Sequence, residues 1–342
     1  MKFKSIITFV SVVFIFAGCA PMKKLIVGPN ESESWRAIHL LGYENDNDLF
    51  ELRKIVPTLN SLGINVIILE VDYSFQFRSH PELRRGEKQI TKKAARKFAA
   101  ICRKNDIKLI TEFQCLGHQS WEEETFSLLT NYPQFDLTPG AFPANKGIYC
   151  REWDLTNPEV NKIVFQLLDE IIDAFQVDAF HVGMDEVFLL GSEQSPSTKG
   201  KDPGELYAKS INDIYDHLVK TKGVKMLMWG DRLFDGTGLE FGEWESSLNG
   251  TAAAVDKIPK DIIICPWHYE NMPAYPSIPM FIAKGFCVLP SSWKDVTAAN
   301  SLINYSQQVN DPKMLGHLFT TWGRTDVLNY PPLVECINLL EK

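Results

Sequence analysis

Asp185 and Glu186 stand side by side at the end of the run Phe180-His181-Val182-Gly183-Met184-Asp185-Glu186. Two carboxylates in one pocket can divide acid–base work, one keeping a proton near neutral pH while the other stays charged. Neighbouring side chains of a strand point to opposite faces, so inside a strand the pair could not serve one site. Residues 177–182 read as a short buried β run that Gly183 ends, and past that point the backbone can turn both acids into one pocket. The chain has 43 acidic residues among 342, so adjacent acids also arise by chance, as at Asp169-Glu170. The strand–glycine–acid–acid context carries the signal.

The elements that must position this pair alternate between strand and helix along the whole chain, which argues a parallel sheet with crossover helices. Strands are expected at 36–41, 65–71, 108–113, 177–182, 225–229, 261–266, 286–290 and 316–321. Helices are expected at 48–62, capped by Asp48, and at 91–105, 158–175, 202–221 and 330–341. Pro57 inside the first predicts a kink. Eight βα units predict a single-domain α/β fold, a (β/α)8 TIM barrel, over residues 35–342. Active sites of such barrels lie at the C-terminal ends of the strands. Glu112 and His118 follow strand three, Asp185 and Glu186 strand four, and Trp229 and Asp231 end strand five. Trp267 and Tyr269 follow strand six, Trp293 strand seven and Trp322 strand eight. Four tryptophans at successive strand ends form a rim on which the C–H faces of a sugar ring can pack. Core tryptophans would be expected at mid-strand positions as well.

Several segments in order carry a resemblance: Ile-Thr-Glu-Phe-Gln-Cys-Leu-Gly-His at 110–118, Leu-Thr-Asn-Pro-Glu-Val at 155–160, the motif ending in Asp185-Glu186, Met-Trp-Gly-Asp at 228–231, Trp-His-Tyr at 267–269 and Thr-Thr-Trp-Gly at 320–323. From Trp35 almost to the C-terminus the chain resembles family 20 glycoside hydrolases, the β-N-acetylhexosaminidases. It is most similar to short members without a large N-terminal domain.

The resemblance implies substrate-assisted, retaining hydrolysis of a terminal N-acetylhexosamine on a glycan, with no cofactor and no metal. The substrate's 2-acetamido oxygen would attack the anomeric carbon. Glu186 would protonate the leaving oxygen and later deprotonate water. Asp185 would accept the acetamido N–H, and Tyr269 would donate to the acetamido oxygen; a tyrosine merely packed beside Trp267 is the alternative. His118 could bond within the site or be structural, and His181 reads as a core histidine. Relatives grip the terminal sugar with an Arg after strand one and an acid after the strand-eight Trp. Here those places fall to Glu44 and Arg324, which predicts either a swapped pair facing each other across a neutral sugar or an Arg324 that accepts a sulfate or carboxylate. Two other classes stay open: a glycosidase of this scaffold for a modified, for example sulfated, or non-acetylated sugar, and a non-catalytic sugar-binding lipoprotein.

The net charge of −8 and the absence of a basic stripe argue against a nucleic-acid partner. Residues 1–18 read as a signal peptide, with a basic Met1-Lys2-Phe3-Lys4 start and an apolar run too short to span a bilayer. The Phe-Ala-Gly-Cys ending resembles a bacterial lipobox with Phe16 where Leu is usual. Cys19 would then be acylated, 19–34 would be a tether, and the protein would sit in the bacterial cell envelope, touching the membrane through a lipid anchor only. An ordinary signal peptide or short anchor is the alternative. Of the other six cysteines, Cys115 and Cys150 flank active-face loops and are the expected disulfide, against six free thiols.

Overall fold

The computed structural model describes residues 33–239 and 241–341, so the segment of the signal peptide and Cys19 lies outside the described residues. Eight parallel strands run β1 (Trp35–Leu40), β2 (Val66–Glu70), β3 (Lys108–Cys115), β4 (Ala179–Gly183), β5 (Lys225–Trp229), β6 (Ile263–Cys265), β7 in two pieces (Cys287–Val288 and Ser291–Ser292) and β8 (Gly316–Thr320). Each pairs with its successor, and β1 returns to β8 with Trp35 opposite Gly316. The first piece of β7 pairs with β6 and the second with β8. Strand seven therefore bridges the two ends of the sheet across Leu289-Pro290 and closes a barrel.

Residues alternate between two apolar layers, as period-two strands require. Val66 and Ile68 of β2 face the barrel interior with Ala37, Ile110, Ala179, Leu227 and Leu318. Ile67 and Leu69 face outward into the layer shared with the helices. That layer includes Val160, Val164, Leu167, Leu168 and Ile171 of the helix Pro158–Phe175. Full burial of each such side chain contributes roughly 2 kcal/mol. Asn157 caps this helix by accepting from the Glu159 N–H, and Pro158 occupies the first turn, where no N–H is needed.

The structure departs from the sequence expectation at the first helix cap, between β5 and β6, at Cys115 and Cys150, and in two helices not expected, Ser277–Ala283 and Val296–Val309. The first helix, Asp46–Ser61, is capped by Asn45, whose side chain accepts from Asn47 and Asp48 N–H groups; Asp48 lies in the first turn instead. Pro57 sits on the exposed face of that helix, which carries through it. Between β5 and β6 the described residues contain no α-helix, only short 3-10 turns such as Thr251–Asp256. Gly236, Gly238, Gly242 and Gly250 punctuate that stretch, and three of them have left-handed φ. Finally, Cys115 and Cys150 are free buried thiols, not a disulfide. Cys115 lies within strand β3, and the Cys150 thiol instead reaches the Glu186 carbonyl at 3.7 Å. Among the described residues no helix is long and apolar enough to cross a membrane.

Candidate active site

The backbone after β4 is wound tightly. Gly183, Met184 and Glu186 all have φ between +52° and +69°. A Cβ on Gly183 would stand 1.7 Å from Gln114 Oε1, so only glycine fits there. Leu116 and His118 after β3, and Trp322 after β8, are also left-handed. Strained non-glycine residues thus gather at the C-terminal strand ends, where function can require them.

This turn carries both acids to one imidazole. His118 Nε2 lies 3.3 Å from Asp185 Oδ2 and 3.0 Å from Glu186 Oε2. Asp185 is 4% exposed and Glu186 9%. Burial opposes a charge on His118, but the Asp185 carboxylate beside it pushes its pKa well above the usual imidazole range. Asp185 Oδ1 is buried and has no donor from the protein.

Side chains from four elements hold the acid loop. The Met184 carbonyl accepts from Tyr207 Oη at 2.6 Å, the Glu186 N–H donates to Asp231 Oδ2 at 2.9 Å, and the Val187 carbonyl accepts from Asn249 Nδ2 at 2.9 Å. Glu152 Oε1 accepts from both the Phe188 and Leu189 N–H groups at 2.6 and 2.7 Å. Asp231 also accepts from Arg232 Nε at 2.7 Å and is only 2% exposed. It stands behind Glu186 as a support. Burial raises its carboxyl to about 6, with Arg232 opposing and the charge of Asp185 adding to the rise.

Glu152 gives a stability test. Burial raises its carboxyl to about 7, against the pull of its two backbone donors. The folded state therefore holds a proton between about pH 4.5 and 7 that the unfolded chain has released, and stability falls as pH rises through that window. Glu152→Gln keeps the acceptor and removes the titration. Denaturant unfolding at pH 4.5 and 7 should show wild type losing about 3 kcal/mol relative to the variant over that interval. An unchanged difference would mean that Glu152 ionises as freely in the folded protein as in the unfolded chain.

The far wall is aromatic. Trp267 stacks on Tyr269 at 4.8 Å, Trp293 tilts against Tyr269 at 5.5 Å, and Trp229 lies 5.2 Å from Trp322. Trp322 Nε1 donates to Tyr269 Oη, leaving the phenol proton free to be donated elsewhere. Burial, then the charges of Glu186 and Asp185, raise the Tyr269 pKa well above its usual value, so it stays protonated. Trp293 Nε1 donates to the Thr321 carbonyl at 3.3 Å.

Below the wall, strand periodicity brings His39, Glu112, His181 and Trp229 together inside the barrel. Glu112 is an interior residue of β3 and does not follow it. Its Oε2 lies 2.7 Å from His39 Nε2, and its Oε1 lies 3.0 Å from His181 Nδ1 and accepts from Trp229 Nε1 at 3.1 Å. Burial opposes its charge, yet His181 and then His39 hold its carboxyl well below the usual range. This buried network fixes the indole of Trp229. Two groups, His39–Glu70–Glu112 and His118–Asp185–Glu186, each bring three possible ligand atoms within 4.8 Å. Their imidazole and carboxylate donors have cation-binding chemistry, but in both groups the imidazole nitrogen already faces carboxylate oxygen at 2.7–3.3 Å.

Arg324 pairs with Asp48 and not directly with Glu44. Arg324 Nη1 lies 3.1 Å from Asp48 Oδ1 and donates to the Gly42 carbonyl at 3.0 Å, with its guanidinium 4.0 Å from the centre of the Tyr43 ring. The Glu44 side chain is exposed, and its N–H donates to Asp48 Oδ2 at 3.0 Å. Asp48 lies in the first turn of the helix that Asn45 caps. Sequence reasoning also missed Glu152, Arg232, Tyr207 and Asn249. Glu152, Tyr207 and Asn249 act on backbone groups far along the chain and Arg232 on the neighbouring Asp231, and no local pattern marks them.

Residues 69–323 match the family described as glycosyl hydrolase family 20, catalytic domain. The chain is 26% identical over 239 residues to a lacto-N-biosidase of Bifidobacterium bifidum, an alignment covering 63% of this chain and 18% of that protein. It is 24% identical over 196 residues to hexosaminidase D of Bos taurus, covering 54% of this chain and 51% of that one. The chain thus spans about half of one relative and less than a fifth of the other. The chitobiase of Flavobacterium johnsoniae superposes with a TM-score of 0.61 at 19% identity, over 85% of this chain and 44% of that one, which shows a shared fold. The family match covers most of the barrel strands and the whole of the acid turn, so this chain belongs to glycosyl hydrolase family 20.

Proposed function

We propose that the protein removes terminal N-acetylhexosamine residues with retention of configuration, the substrate's own acetamido group acting as nucleophile. One observation carries the reading: an oxygen of Asp185 and one of Glu186 lie within 4.8 Å of each other around His118. Family 20 enzymes use the substrate in place of a protein nucleophile, which needs one carboxylate to hold the acetamido group while its neighbour supplies the proton. In the first step the acetamido oxygen bonds to the anomeric carbon as the glycosidic bond breaks. Glu186 gives its proton to the leaving oxygen. In the second, water attacks that carbon, Glu186 takes back a proton and the oxazolinium ring opens. Asp185, through its donor-free Oδ1, accepts the acetamido N–H and balances the positive ring. Tyr269 donates its retained proton to the acetamido oxygen.

Pairing of Arg324 with Asp48 compensates its charge and favours a neutral terminal sugar over a sulfated one. The envelope location and the acyl group on Cys19 belong to the same reading and rest on residues 1–19.

Turnover of chromogenic N-acetylglucosaminide and N-acetylgalactosaminide, with the first-formed product followed by proton NMR, tests the reaction. The β-anomer is expected to appear first. The α-anomer would mean inversion. Activity confined to a chromogenic lacto-N-bioside would replace the exo-acting reading with release of a disaccharide.

A further inference from the structure

Two tryptophans stand out of the fold beside the acid, on loops that take no part in the reaction described above. Trp121 is 47% exposed and Trp244 is 44% exposed. Tyr149 lies between them, with ring centres 5.4 Å from Trp121 and 4.8 Å from Trp244. The row is anchored at the acid. Trp121 stacks over His118 at 6.4 Å, and His118 touches Glu186. Tyr149 also meets His118 edge to face, with ring centres 5.9 Å apart.

Exposed indoles normally need no explanation. These are held by buried polar groups. Arg232, itself 0% exposed, donates through Nη2 to the carbonyls of Trp244 at 2.8 Å and Ser246 at 2.7 Å, and to that of Glu243. Glu245 accepts from the Tyr269 N–H at 2.9 Å and lies 2.7 Å from His268 Nδ1. The loop bearing Trp244 is thereby tied to strand ends five and six. Trp121 sits in a hairpin, Ser120–Trp121 against Glu124–Thr125. The preceding Gln119 is fully buried and bonded to Tyr73, Gln114 and Gly117. Buried anchors on both loops keep two apolar faces in place before anything binds, which lowers the entropy cost of stacking.

The proton of Glu186 goes to the leaving oxygen, so the surface next to Glu186 and outside the pocket faces the leaving group. Resting on the reaction proposed above, we propose that Trp121, Tyr149 and Trp244 form a stacking site for the sugar ring on the leaving side of the scissile bond. The adjoining side chains of Glu122, Glu123 and Glu243 are exposed carboxylates, which selects a neutral ring over a uronic acid. The enzyme is therefore built for glycan ends more than for small glycosides.

The test compares kcat/KM for an N-acetylglucosaminyl disaccharide with that for N-acetylglucosaminyl fluoride, whose departing ion touches no ring. Trp121→Ala and Trp244→Ala should each lose about tenfold more on the disaccharide than on the fluoride. Trp→Phe at either place should recover part of that difference. A disaccharide ending in a uronic acid should be the poorer substrate for wild type. Equal losses on both substrates, or none on the disaccharide, would overturn the stacking site while leaving the reaction intact. A preference for the uronic acid would overturn its assignment to neutral rings. Wild type inactive on both substrates would instead remove the proposed reaction, and the site with it.

Discussion

Glu186→Gln is expected to lower kcat/KM by about 10²–10⁴-fold on a glycoside with an alcohol leaving group, and far less on one with an acidic phenol. The amide is nearly the shape of the acid, and Asp231 and Cys150 hold the backbone of residue 186, so the loop should survive the change. Only the transferable proton is lost. A poor leaving group needs that proton as the bond breaks, whereas a nitrophenolate departs without it. Parallel assays on a methyl glycoside and a nitrophenyl glycoside measure the difference. Wild-type rates on both would remove Glu186 from the mechanism.

Asp185→Asn should lose about 10²–10³-fold on both kinds of substrate. In the proposed scheme its charge stabilises the cyclised intermediate whatever the leaving group, so the loss should not follow leaving-group acidity. A thiazoline analogue of that intermediate should bind wild type tightly and the variant weakly, by a comparable factor. The same substitution removes the charge that most raises the His118 pKa, so an NMR titration should find that imidazole titrating at lower pH. In wild type, His118 contributes stability that is full below about pH 6.5 and lost as pH rises through its raised folded value. Asp185→Asn should reduce that contribution. A covalent enzyme–sugar adduct seen by intact-protein mass spectrometry would contradict the scheme and make a carboxylate the nucleophile.

Local sequence determined a good deal. Apolar runs buried on both faces, separated by amphipathic helices with Asn157, Asp202 or Thr91 at their starts, specify a parallel barrel because backbone period and capping act over a few residues. Gly183 before two acids marks a sharp strand exit, since only glycine tolerates that φ beside Gln114. Trp267, Trp293 and Trp322 come just after strands six to eight, whereas Trp229 is the last residue of β5 and is fully buried inside the barrel.

Tertiary structure alone decided which charges meet. Arg324 could pair with Glu44 or Asp48, four residues apart, and it is Asp48, in the first turn of the helix that Asn45 caps, that meets it. Glu112 joins His39 and His181 across 73 and 69 positions because three strands present the same inward register. Glu152, Arg232 and Glu245 act on backbone groups through the packing of separate loops, and the thiols of Cys115 and Cys150 stay apart although both border the active face. Periodicity and capping are short-range and readable in order along the chain. Pairing of buried charges is set by where distant loops are brought together, and no spacing in the sequence records it.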